Sequence, residues 1–188
     1  MGLDMYLEAT RGIYTSTPEE KELNTRIRNA LEEVGLEGIG DYRTGNLDYV
    51  EITFEVGYWR KANAIHRWFV ENVQDGDDDC GTYWVSREKL EKLKELCEEV
   101  LSKAKVIDGT VTNGYKLTDE GTIPIVEAGK TVANPEVAEQ ILPTQSGFFF
   151  GNTEYNQWYI EDLEHTVEVI DKVLKLPKEW SIQYHSSW

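Results

Sequence analysis

Residues 49–56 read YVEITFEV, and their alternation constrains the fold more than any other feature of the chain. Val50, Ile52, Phe54 and Val56 fall on one side of an extended backbone, with Glu51, Thr53 and Glu55 on the other. A period of two in hydrophobicity describes a strand with one buried and one wet face. Such a strand belongs to an antiparallel or mixed sheet, because purely parallel sheets are covered on both faces. The apolar face then needs partner strands beside it and helices over it. GLDMYLEA places Leu3, Met5 and Leu7 on one face, and WSIQYHSSW reads as a closing strand. A sheet from strands near 3–8, 49–56 and 181–186 is therefore expected.

The helices are marked by their ends. In STPEEKELNTRIRNALEEVG, Thr17 is a cap, Pro18 takes the first turn, Glu20 completes a capping box and Gly35 stops the helix. Its apolar stripe is Leu23, Ile27, Ala30, Leu31 and Val34. A glycine-rich loop follows at 38–49, and a helix is predicted from about Tyr58 to Gln74. After DGDDDCG, a short apolar run leads into a helix that buries Leu90, Leu93, Cys97, Val100 and Leu101. Residues 105–133 are rich in Thr, Gly and Val, with turn signals at DGT, TNGY and DEGT, and read as a β-hairpin insertion. Asn134-Pro135 opens a short helix to Ile141, and a last helix runs from Glu154 to Leu174, capped by Asn152 or Thr153. Helices and strands that do not alternate regularly give an α+β class: one domain, 1–188, with helices on one face of a small antiparallel or mixed sheet.

Composition removes some functions. A formal net charge of −16 opposes binding to long nucleic acid, which depends on neutralising many phosphates. It leaves room for one small anion, which needs only a helix start or one or two arginines. No apolar run is long enough to span a bilayer, and MGLDMYLEATR lacks the pattern of a signal peptide, so a soluble, cytoplasmic protein is expected. Cys80 and Cys97 make no disulfide framework.

Familiar motifs are incomplete. EAGKT ends like a phosphate-binding loop, but Pro124 stands where its first glycine belongs. DGDDDCG starts like a calcium-binding loop, but Cys80 replaces the sixth-position glycine and Ser86 the twelfth-position glutamate. No metal or other cofactor is called for.

Two segments remain. On a helix over 58–74, Tyr58, Ala62, Ile65, Phe69 and Val73 would face the core, while Arg60, Arg67 and Glu71 would face solvent. Trp59, Asn63 and His66 would border the core, where a ring, an amide and an imidazole can stack and orient a planar ligand. The plainer reading is a satisfied interfacial trio. The second segment is LPTQSGFFFGNTEY, where Thr144, Gln145 and Ser146 precede Phe148, Phe149 and Phe150. Three consecutive rings cannot all face one core from a regular strand, so one lines a cavity or both faces are covered. The two segments are expected to meet around one site. Trp59 or Phe148 would stack on a ring, Asn63, Gln145 and Ser146 would read its polar edge, and Arg60 or the helix start near Thr153 would meet an anion. Asn63→Ala or Gln145→Ala would then weaken binding about tenfold without unfolding the protein.

The opening MGLDMYL, with YWRKANAIHRWFVENVQDGDDDCG and LPTQSGFFFG, resembles a family of small proteins encoded by bacteriophages and prophages. The resemblance covers most of the chain outside 105–133 and brings no catalytic residues with it. It implies an accessory protein of the infected bacterium, in a setting where small binders sequester nucleotide signals of host immunity. The function expected is therefore a non-enzymatic binder of a small, nucleotide-type ligand, compatible with a homo-oligomer. One alternative is a hydrolase or transferase acting on a phosphorylated small molecule, with His66 as general acid or base and Asp77–Asp79 holding a metal. Another is an acidic protein-interaction module.

Overall fold

The computed structural model describes residues 2–35, 49–119 and 121–188. Among them the class is α+β. Strands β1 (Asp4–Tyr14), β2 (Tyr49–Arg60), β3 (Tyr83–Val85) and β6 (Ser181–Ser187) form an antiparallel sheet in the order β2-β1-β6-β3. β4 (Val106–Thr118) and β5 (Gly121–Val132) form a separate hairpin. The helices are α1 (Pro18–Glu33), α2 (Asn63–Asn72), α3 (Arg87–Lys103), α4 (Pro135–Ile141) and α5 (Gln157–Val173). None is long and apolar enough to cross a membrane. The loop expected at 38–49 falls almost wholly within 36–48, outside the described residues.

Sequence alternation and sheet geometry agree on β1. Leu3, Met5, Leu7 and Ala9 are buried on one side, opposite Ile182 and Tyr184 of β6. Phe69 of α2 stacks flat on Tyr184 with ring centroids 3.9 Å apart, which fastens helix to sheet. α5 and α3 complete the layer, contributing Leu163, Val169, Ile170, Leu90, Leu93 and Cys97 to the core. Burial pushes the Cys97 thiol up to about 12, so it behaves as a small hydrophobe.

β2 corrects two expectations. It does not stop at Val56 but continues to Arg60, so Trp59 and Arg60 lie on a strand and the helix begins only at Asn63. The pairing to β1 shifts register between Leu7 and Glu8, where Leu7 faces Gly57 and Glu8 faces Glu55, leaving Val56 as an extra bulged residue. One extra residue swaps the faces of everything beyond it. Gly57 and Trp59 turn inward after the bulge, while Phe54, expected inside, is 57% exposed and packs on Trp180. Gly57 is required there, because a Cβ would stand 2.5 Å from Val169 of α5.

Helix ends follow their predicted chemistry more closely. Thr17, the predicted cap, accepts the Glu20 amide at 3.2 Å; Ser86, not singled out in the sequence, caps α3 by accepting the Lys89 amide at 3.2 Å. α1 is less buried than its pattern implied: Leu23, Ile27 and Leu31 are half-buried, Ala30 and Val34 are exposed, and Asn24 is buried. α5 starts later than expected and is capped by Asn156, whose side chain accepts from Trp158 and Tyr159. Asn152 and Thr153 therefore do not cap it, and the amides expected to be free there are occupied.

Candidate functional site

The two segments singled out in the sequence come together. Asn63, at the start of α2, donates its side-chain amide to the carbonyls of Phe150 (3.0 Å) and Asn152 (2.8 Å). Its side-chain oxygen accepts the Gln145 backbone N–H at 3.1 Å. One buried amide thus clamps both ends of the turn that carries the three phenylalanines. Phe150 points inward and is buried, Phe149 is half-buried, and Phe148 stands 94% exposed. The turn is tight at Gly147, where a Cβ would sit 2.6 Å from the Phe150 ring.

Beside this turn lies a cavity of about 690 Å³, within the size range of small-molecule sites. One wall comes from the β2–α2 corner: Arg60, Lys61, Asn63, Ala64 and Ile65. A second is the turn, with Thr144, Phe148, Phe149, Gly151 and Asn152. α5 and its lead-in supply Glu154, Trp158, Tyr159, Glu161 and Asp162, and the hairpin supplies Thr112, Asn113, Gly114 and Tyr115. Those hairpin residues sit at a bulge between Thr112 and Tyr115. TNGY, expected as a turn, is instead a kink that aims β4 at the cavity, and the two strands stay paired as far as Thr118 and Gly121.

The corner is suited to an anion. Lys61 adopts φ 62°, a left-handed conformation rare outside glycine. Its amide donates to Leu3 O at 2.8 Å and its carbonyl accepts from Asn63 N at 2.8 Å, which fixes that conformation. α2 starts without a side-chain cap and without an acidic residue in its first turn. His66 is the first residue of α2 to bond back, to Ala62 O at 3.0 Å. The Ala64 and Ile65 amides thus have no backbone acceptor among the described residues. Free amides at a helix start beside two cations favour negative charge.

Of the residues expected to form the site, Arg60, Asn63, Thr144 and Phe148 line this cavity, whereas Trp59, His66, Gln145, Ser146 and Thr153 do not. Trp59 is in the core, its indole N–H donating to the Thr166 hydroxyl at 2.9 Å. His66 is wholly buried, with Nδ1 2.7 Å from the Tyr184 hydroxyl and Nε2 3.1 Å from Asp78. A carboxylate only accepts, so Nε2 carries the proton and Nδ1 accepts from Tyr184. Burial lowers the His66 pKa, and Asp78 only partly restores it, so the ring is neutral at neutral pH. Gln145 takes part through its backbone alone, and Ser146 is exposed on the turn. Thr153 contributes its carbonyl, which accepts from the Thr144 hydroxyl at 3.1 Å.

The acidic loop is also engaged within the fold. Asp78 accepts the Trp188 indole N–H at 2.9 Å, and Asp79 accepts from the Gly81 amide and the Tyr83 hydroxyl. Among the described residues no three His, Cys, Asp or Glu side chains are grouped to hold a metal ion.

Sequence reasoning missed Asp162. Burial, with repulsion from Glu161, pushes its carboxyl from an ordinary 3.8 to about 7. Its position in EDLEH looks like any solvated helix face, and only the packing of α5 against the cavity sets it apart. No family model, curated protein or solved structure matches this chain.

Proposed function

We propose that the chain binds a small, planar, anionic ligand of the nucleotide type in this cavity and releases it unchanged. The observation that carries this reading is the shared cavity wall: a solvent-exposed Phe148 ring stands with Arg60, Lys61 and the uncapped start of α2. An exposed aromatic on a clamped turn costs little to stack on a flat ring, since the turn is already ordered. The cationic corner complements a phosphate. For such a binder, sequestration of a nucleotide signal of host immunity is the role implied by the resemblance to phage-encoded proteins.

A thermal-shift panel of cyclic and ADP-ribose-type nucleotides tests this. A ligand at a hundred times its Kd adds about 2.7 kcal/mol, which for a chain of this size raises Tm by roughly 5–10 °C. A panel in which nothing shifts contradicts the proposal. Ligand recovered intact after heating supports a binder.

Asp162 favours a second reading, a hydrolase or transferase acting on a phosphorylated small molecule. A carboxyl that titrates near neutrality inside a cavity suits general acid–base work. Recovery of a chemically altered nucleotide, lost in Asp162→Ala, would select it over the binder.

A further inference from the structure

Charges in the cavity do not neutralise one another. Arg60 and Lys61 stand where β2 gives way to α2, whereas Asp162 lies on α5. Asp162 is engaged through its backbone, whose carbonyl accepts from the Thr166 hydroxyl at 2.6 Å. Its carboxyl is half-buried and has no hydrogen-bond or ion-pair partner among the described residues. Glu161 repels it, and no cation offsets that repulsion. Glu154, by contrast, is held by the Thr112 hydroxyl at 2.8 Å and the Asn156 amide at 3.2 Å. Glu161 also lacks a partner among the described residues, but it is exposed to water, so Asp162 is the less solvated cavity acid whose oxygens are left to accept from a ligand donor.

The shape of the group decides which donor. A carboxylate offers two oxygens side by side and accepts at both. Its complement is a pair of adjacent N–H donors. Trp158, Tyr115 and Phe148 line the same cavity and favour a flat partner. In guanine an amide N–H lies next to an exocyclic amine. Adenine sets a lone pair beside its amine, and so turns an acceptor toward one carboxylate oxygen. Hypoxanthine keeps the ring N–H and lacks the amine.

We propose that Asp162 reads two adjacent N–H donors on the ring of the bound ligand, the guanine pattern, while Arg60 and Lys61 hold that ligand's anionic group. The inference rests on the nucleotide-type reading above. Two donors favour the ionised carboxylate, so binding expels a proton and affinity rises with pH up to about pH 8. The other titratable or charged groups lining the cavity are Glu154, Tyr159 and Glu161 on α5 and its lead-in, Arg60 and Lys61 at the end of β2, and Tyr115 on β4.

Calorimetric titration of the full chain with GMP, IMP and AMP at pH 8 tests the proposal. GMP is expected to bind tightest, with IMP about tenfold weaker for one lost hydrogen bond to a charged group. AMP is expected to be weaker still. Asp162→Asn is expected to lose the preference, so that GMP and AMP bind alike, with thermal melting confirming that the variant is folded. AMP binding as tightly as GMP, or a preference that survives Asp162→Asn, overturns the inference and leaves the nucleotide reading standing. If none of the three binds at millimolar concentration, both fail.

Discussion

Asn63→Ala is expected to destabilise the protein by about 3 kcal/mol and to abolish ligand binding together. The amide makes three hydrogen bonds to one turn: it donates to Phe150 O and Asn152 O and accepts from Gln145 N. Each such bond contributes about 1 kcal/mol, and partners left buried without one cost more. Asn63 itself is 5% exposed, so water does not freely replace it. Once released, the turn no longer holds Phe148 and Phe149 at the cavity wall. Urea unfolding checks this: the midpoint is expected to fall with the slope unchanged. Asn63→Asp is expected to fare no better, because it keeps the acceptor for Gln145 and sets a carboxylate against two carbonyls. Gln145→Ala is expected to be nearly silent, since alanine retains the backbone N–H that Asn63 uses. An Asn63→Ala protein as stable as its parent would show that the turn holds without the clamp.

Asp162→Asn is expected to do the opposite and stabilise the unliganded protein at alkaline pH. In the folded chain the carboxyl titrates at about 7, against an ordinary 3.8. Between those values the unfolded chain has lost the proton and the folded chain keeps it. The folded state then binds more protons, so stability falls as pH rises through this window. The cost is absent below about pH 4 and complete above about pH 7. Asparagine carries no charge and escapes it, along with the repulsion from Glu161. At about 1.4 kcal/mol per pH unit the gap is on the order of 2–4 kcal/mol at pH 8. Melting curves of parent and variant, without ligand, are expected to coincide near pH 4 and diverge steadily toward pH 8. Parallel curves would mean that Asp162 is solvated and unperturbed. A residue that destabilises its own fold is what a ligand-binding role leaves behind.

His66 shows why its sequence context misled. GYWRKANAIHRWFVENVQ carries a helical period throughout, yet its first four residues, Gly57 to Arg60, belong to β2. Pairing of Asp4, Met5 and Tyr6 with Arg60, Trp59 and Tyr58 outweighs a local pattern, because the ladder also buries Met5 and Trp59 in the core. That shift moved Trp59 to the sheet and left His66 deep in the core, hydrogen-bonded at both ring nitrogens. Alternation fixed the sheet partners, since period two survives from sequence into structure wherever one face is covered. It did not reveal the bulge at Val56, which has no local signature beyond the following glycine. The meeting of Asn63 with the phenylalanine turn was legible as two segments with more aromatics and amides than burial requires. The role of residues 105–133 was not, because the Asn113-Gly114 kink acts on a cavity assembled from distant elements. Asp162 escaped for the same reason: burial of one face of α5 depends on what the hairpin and the β2–α2 corner place against it.

The six tryptophans allow a ligand in this cavity to be tested at residue resolution. Trp158 alone among them lines the cavity, while Trp59 is sealed in the core against Thr166. Indole N–H resonances of ¹⁵N-labelled protein, assigned by single Trp→Phe changes, are to be followed while GMP is added. The Trp158 signal is expected to move in proportion to saturation, with Trp59 unmoved, and Arg60→Ala with Lys61→Ala is expected to weaken the response. Titrations with GMP and then with AMP that both leave Trp158 in place, or that move the other indoles and spare it, would contradict a nucleotide site in this cavity.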